Sequence, residues 1–150
     1  MNLKNRNGRS RRSAFTLLEI LLVVGLLALL ASFAIPALMS KGEEARIKLA
    51  SSAIGPNGPI MQAIGLYKLD IGVYPETLND LIEKPSDDKA ASKWKSPYLQ
   101  DRSGLLDPWQ NEYQYERDGK HNVNSVDLWS NGPDGIEGND DDVKNWKDDR

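Results

Sequence analysis

The chain of 150 residues contains no cysteine, which excludes disulfides and thiolate metal sites. It has a single histidine, His121, so any mechanism that needs two imidazoles is excluded as well. Acid is absent from residues 1–13, where Lys4, Arg6, Arg9, Arg11 and Arg12 give a charge of +5. Basic excess is absent from residues 40–150, where 14 Lys and Arg face 21 Asp and Glu, a charge of −7. The formal net charge of −3 therefore averages a basic tail with an acidic domain. The acidic bulk argues against nucleic acid as a partner, because phosphate binding needs a basic footprint.

What the chain does have is one long apolar run. Ala14 to Met39 reads AFTLLEILLVVGLLALLASFAIPALM, 26 residues with Glu19 as the only charge. As a helix it is roughly 39 Å long, enough to cross a hydrocarbon core. The positive-inside rule puts the basic tail in the cytoplasm and the acidic domain outside. An ordinary secretory signal peptide is the bland alternative. The apolar run is too long for one, and Ala34-Ile35-Pro36-Ala37 makes a poor cleavage site. Gly25 and Pro36 are weak points in the helix, and Pro36 is expected to bend or loosen it.

Glu19 sets the character of this segment. An acid inside a spanning helix costs on the order of 3 kcal/mol at full depth and marks a functional position, unless it lies shallow among the headgroups. Ser13-Ala14-Phe15-Thr16-Leu17-Leu18-Glu19, directly after a basic tail, resembles the class III leader of type IV pilins and type II secretion pseudopilins. The resemblance implies that a prepilin peptidase cuts between Ala14 and Phe15, on the cytoplasmic side, and methylates the new amino terminus of Phe15. The family usually has Gly before the cut; Ala14 is also small, so slower processing is the most that is expected. Glu19 becomes the acid at mature position five. Its carboxylate pairs with the Phe15 amino group of a neighbouring subunit as helices stack, neutralising two charges that are costly alone.

Beyond the membrane segment, Lys41 to Ile54 reads as helix with Ala45, Leu49 and Ala53 on one side. Gly55-Pro56-Asn57-Gly58-Pro59 breaks it, as a kink or as a small loop. A second helix over 60–69 carries Ile60, Ile64 and either Tyr67 or Leu66 along its stripe. Pseudopilins have one unbroken helix here, so this chain departs from the pattern. Leu66 to Pro75 resembles the end of the pseudopilin helix and its exit turn. Thr77 to Glu83 reads as a short helix with Leu78, Leu81 and Ile82 inward, and 85–97 as a polar loop anchored by Trp94. Leu106-Asp107-Pro108-Trp109-Gln110-Asn111-Glu112-Tyr113-Gln114-Tyr115 resembles the DPWGNPYQY segment of major pseudopilins, with Gln110 in place of Gly and Glu112 in place of Pro. Strands are expected over 112–117 and 125–130, with Tyr113 and Tyr115 on one face, Val126 and Leu128 on another, and turn chemistry including His121 between them.

The sequence from Asn131 to Val143 concentrates acids and glycines. Oxygen-only ligands on a flexible backbone suit calcium, although a solvated acidic loop has the same composition. An EF-hand starting at Asp134 is ruled out, because its third and fifth positions are Ile136 and Gly138 and no Glu stands at the twelfth. One copy also cannot build the β-roll of glycine-rich calcium repeats. Asp127 to Trp146 resembles the calcium loop that closes major pseudopilins. The resemblance implies side-chain ligands from Asp134, Asp141 and Asp142 and main-chain oxygens from Asn131 and Ile136. Asp140 competes with Asp141 for its register. Ion binding is expected to order the loop and fasten Trp146 to the domain.

The chain is thus identified as resembling the major pseudopilins of type II secretion. That implies an α+β, pilin-like fold, with a long N-terminal helix packed on a small antiparallel sheet and a C-terminal calcium loop. The expected organisation is a cleaved leader over 1–14, a membrane and filament-core helix over 15–39, and an extracytoplasmic domain over 40–150. The implied function is structural: a homopolymer subunit of the pseudopilus, anchored in the bacterial inner membrane before assembly and periplasmic after it. Its implied partners are other copies, minor pseudopilins, inner-membrane platform proteins, the peptidase and lipid. The alternatives are a type IV pilin, which usually carries a cysteine pair absent here, a minor pseudopilin, or a membrane-anchored calcium-binding extracytoplasmic protein. A hydrolase using the acid cluster has no Ser/His/Asp order, His set or nucleophile motif behind it.

Overall fold

The computed structural model describes residues 15–147 and divides the chain into two compact units, one ending at Lys41 and one beginning at Gly42. The leader over 1–14, including Ala14, lies outside the described residues.

Helix α1 (Leu17–Ile54) is 38 residues long. Thr16 starts it: its Oγ1 accepts the Glu19 backbone N–H at 3.2 Å, satisfying one of the donors a helix N-terminus leaves free. The helix runs through Pro36, which removes a single backbone hydrogen bond without ending it. In the first unit its large apolar side chains, from Leu17 to Met39, are exposed. By length and composition this helix is able to cross a membrane, and none of its most apolar stretch is buried within the structure.

In the second unit the inward face of α1 is not the expected one. Ala50 and Ile54 are fully buried and Ala53 is half-buried, whereas Leu49 is 64% exposed. Glu43, about two turns before Ala50 on the same side, accepts the Trp109 indole N–H on its Oε1, and this pins the face to positions 43, 50 and 54.

The break is a small loop. α1 ends at Ile54 and α2 (Pro59–Ile71) begins after four residues, with Pro59 at a position where its missing N–H costs nothing. Gly58 donates to the Gly55 carbonyl at 2.8 Å and accepts from Gln62 N at 3.0 Å, closing the turn. α2 buries Ile60, Ala63, Ile64, Tyr67 and Ile71, an amphipathic stripe at helical spacing; Tyr67, not Leu66, completes it. Gly72 caps the helix at φ 99°.

A 3₁₀ turn over Leu78–Leu81 follows, with Thr77 and Asp80 forming a reciprocal capping box. Leu81 is fully buried beneath it, and Trp94 donates its indole N–H to the Asp80 carbonyl at 3.0 Å. The stretch expected as loop contains a short helix, α3 (Asp88–Lys93), because Asp87 caps it through Ala90 N at 2.9 Å. Three antiparallel strands complete the fold in the order β1 (Gln114–Glu116), β2 (Asp127–Ser130), β3 (Val143–Lys144). Both paired strands expected from the sequence form, shorter than foreseen, and Tyr115 faces Leu128 across the first pair. Val126 and Leu128 are fully buried, each contributing about 1.5–3 kcal/mol by removal from water. This is an α+β arrangement.

Gly58 is a position where the fold tolerates no side chain. A Cβ there would lie 2.2 Å from the Ala53 carbonyl oxygen and 2.4 Å from that of Ser52, both rigid backbone. Gly58→Ala is expected to cost about 1–3 kcal/mol. Thermal unfolding should show a Tm lowered by several degrees, and an unchanged Tm would mean the joint yields.

Candidate functional site

Two acidic turns, distant in sequence, meet at the end of β2. The first is built by Asp107. Its Oδ1 accepts the backbone N–H groups of Trp109 and Asn111, both at 2.9 Å, so the side chain folds the following backbone around itself. The turn is closed by Asp107 N to Asn111 O at 2.8 Å and Gln110 N to Asp107 O at 3.0 Å. Gln110, standing where related segments have Gly, takes up φ 72°. The tight turn therefore survives the substitution and carries the strain of a left-handed non-glycine residue. Asp107 is only 2% exposed, and its second oxygen accepts the Ser130 hydroxyl at 2.6 Å. Burial, with Asp107 nearby, pushes the Tyr113 hydroxyl up to about 12.

The second turn is the acidic loop between β2 and β3. Ser130 Oγ also accepts the Gly132 backbone N–H at 3.1 Å, so the loop begins on a fixed hydrogen bond. Gly132, Gly135 and Gly138 all have positive φ. At Gly132 a Cβ would meet the Asp141 carbonyl oxygen at 2.4 Å and its Oδ2 at 2.8 Å; the two ends of the loop cross there. Inside the loop, Asp134 Oδ1 accepts Ile136 N at 2.8 Å and its Oδ2 accepts Asn139 Nδ2 at 2.9 Å. Asp142 Oδ2 accepts Gly138 N at 2.9 Å. Two side-chain oxygens, Asn131 Oδ1 and Asp142 Oδ1, are buried without a hydrogen-bond partner, as is Trp146 Nε1. Buried acceptors without donors are rare and call for an explanation.

Asn131, Asp134, Ile136, Asp141 and Asp142 thus share one loop. Among the described residues no three His, Asp or Glu side chains gather closely enough to ligate a metal as the loop stands. Asp140 is exposed, and Ile136 is exposed with its amide turned to Asp134. Phe15 is exposed ahead of α1, and Glu19 is exposed in its first turn, where an acid complements the helix dipole.

The segment after the loop is held by a separate network. The Asn145 side chain accepts from Leu128 N and Asn122 Nδ2 and donates to the Val126 carbonyl, at 2.9–3.1 Å. Trp146 stacks on the His121 ring, 4.3 Å between centroids and 5° from parallel, and meets Trp129 edge-on at 5.9 Å. His121 lies on the connection between β1 and β2 as expected, and its Nδ1 is 3.1 Å from Asp127 Oδ2. Asp127, 2% exposed, also accepts the backbone N–H groups of Lys120, His121 and Asn122. Sequence reasoning passed over Asp107, Ser130, Asp127 and Asn145. The available signal was an acid directly before Pro108 or starting a strand, which reads as a turn-former and not as a hub.

Burial alone would raise the Asp127 pKa; the hydrogen bonds from the His121 and Asn122 amides, the His121 ring and the Lys120 amide outweigh it and hold the carboxyl below its ordinary value. A lowered folded-state pKa means that Asp127 stabilises the fold above the unfolded value of about 3.9 and loses that contribution as pH falls through the folded one. Asp127→Asn is expected to cost about 1–3 kcal/mol at neutral pH. Melting curves at pH 7 and pH 3 should show the gap from the wild type closing in acid; an equal gap at both would contradict this role.

Residues 37–146 match the family model described as type II secretion system (T2SS), protein G. The chain is 39% identical over 145 residues to the type II secretion system core protein G of Pseudomonas aeruginosa, covering 92% of this chain and 97% of that protein. Identity to the core protein G of Klebsiella pneumoniae is 38% over 141 residues, covering 91% and 95%. To that of Escherichia coli K12 it is 37% over 140 residues, covering 91% and 92%. The fold is similar to the crystal structure of the major pseudopilin from the type 2 secretion system of enterohaemorrhagic Escherichia coli, with a TM-score of 0.60, 27% identity, and 73% and 89% of the two chains covered.

Proposed function

Because the chain belongs to the type II secretion system protein G family, it is a structural subunit of the pseudopilus, and we propose that it assembles through α1 and is stapled by calcium at its C-terminal loop. The observation that carries the assembly reading is the apolar surface of α1, with Leu17 through Met39 uncovered in a single copy. Such a surface needs lipid before assembly and other copies after it. In this reading a prepilin peptidase cuts between Ala14 and Phe15 and methylates Phe15. The Glu19 carboxylate then pairs with the Phe15 amino group of a neighbour and sets the register of stacking. The basic tail faces the cytoplasm and the acidic unit the periplasm. Minor pseudopilins and inner-membrane platform proteins complete the machine, and filament growth pushes folded proteins toward the outer membrane. The chain itself performs no chemistry.

The calcium reading rests on donor chemistry. Asp134, Asp141 and Asp142 supply carboxylate oxygens and Asn131 and Ile136 main-chain oxygens, a set suited to a hard cation. The unpartnered buried oxygens of Asn131 and Asp142 favour a positive charge in the loop. Bound there, the ion contributes neutralisation of the acids and a link between the two ends of the loop, in a domain without disulfides.

Glu19→Ala is expected to leave the acidic unit folded while filaments fail to form, as read by electron microscopy of sheared pseudopili; normal filaments would contradict the pairing. Calcium at a hundredfold over its Kd should stabilise the detergent-solubilised chain by about 2.7 kcal/mol. Asp134→Ala should abolish that gain, and a wild-type melting curve indifferent to calcium and chelator would return the loop to a solvated acidic turn.

A further inference from the structure

We propose that Asp107 and Ser130 are positioning residues for the cation, aiming the Asn131 carbonyl oxygen into the loop; this rests on the calcium reading above. The chain of hydrogen bonds has a fixed direction. The Asp107 carboxylate, buried with its Oδ1 taken up by two backbone amides, offers Oδ2 as an acceptor 2.6 Å from Ser130 Oγ. The Ser130 proton therefore points at Asp107, and the lone pairs of Oγ face the other way. One of them accepts the Gly132 N–H at 3.1 Å.

That N–H belongs to the same planar peptide as the Asn131 carbonyl. In a trans peptide the two dipoles are opposed, so fixing Gly132 N–H on Ser130 turns the Asn131 oxygen away from Ser130. The three-residue relay converts a buried carboxylate under the Asp-Pro-Trp turn into the orientation of one ligand oxygen 24 positions later in the chain. Glycine at 132 is part of the device: its φ of 64° and missing Cβ let Asp141 close to contact distance of the oriented peptide. Ser130 is fully buried, so no water competes for its hydroxyl. Supporting groups of this kind typically govern metal affinity by 10–100-fold without touching the ion.

The test measures calcium binding by titration calorimetry and metal-free melting in EDTA, on the full chain in detergent. The variants are Ser130→Ala and Asp107→Asn, with Gly58→Ala as a destabilised reference remote from the loop. The relay predicts that both variants bind calcium at least about tenfold more weakly than the wild type. It also predicts that Gly58→Ala melts lower in EDTA yet keeps wild-type affinity. If Ser130→Ala and Asp107→Asn lower the EDTA melting temperature but bind calcium as the wild type does, they are structural only and the relay is overturned. A wild type that binds no calcium overturns the calcium reading itself, and the relay with it.

Discussion

The hydrogen bond from Ser130 to Asp107 is the constraint on which the acidic unit depends. It lies wholly out of water, and it joins the Asp-Pro-Trp turn to the last residue of the central strand. A buried carboxylate is costly unless its lone pairs are satisfied, and here two backbone amides and one hydroxyl meet that need. The same contact leaves the hydroxyl free to accept from Gly132 and so fixes where the acidic loop departs. The turn is tied in its own right to α1, through the Trp109 indole on Glu43. Helix, turn, sheet and loop are thereby connected through polar groups as well as through the apolar core.

A second buried acid, Asp127, organises the other side of the sheet. It gathers three successive amides and the His121 ring, and His121 then offers its face to Trp146. The C-terminal strand is thus fastened by aromatic stacking and by the Asn145 side chain independently of the loop's own interior. This division of labour suits a chain without cysteine: both ends of the acidic loop are anchored by contacts outside its interior. The first half of α1 is under the opposite constraint, because its apolar surface finds no partner within one copy. A fold with one self-sufficient unit and one that is satisfied only by lipid or by other copies is what polymerisation from a membrane requires.

Much of this was legible in the sequence, and the limits have physical reasons. The apolar rod and the two longer strands follow from hydrophobic period and turn chemistry, and the helix exit before Pro75 and the Asp-Pro-Trp segment from the family resemblance. The inward stripe of α1 was misplaced because Leu49 outranks Ala50 in hydrophobicity, whereas the helix is oriented by Glu43 and by close packing of a small residue. Gly55 to Pro59 could be recognised as a break but not as a loop, since only the approach of Gly58 to the Ser52 and Ala53 carbonyls distinguishes the two. α3 escaped because a six-residue helix in polar sequence depends on its Asp87 cap. Asp107 and Ser130 carry no periodic signal at all; a hub that joins residues 23 apart exists only once the strands have paired.

We propose that this network presents one calcium site at the end of the central strand. A crystal structure of the acidic unit grown in calcium tests it most directly. One ion is expected about 2.3–2.6 Å from carboxylate oxygens of Asp134, Asp141 and Asp142 and from the main-chain oxygens of Asn131 and Ile136, with Ser130 still bonded to Asp107 and Gly132. An acidic loop without an ion in saturating calcium, or an ion held elsewhere while the loop keeps its internal hydrogen bonds, would contradict it.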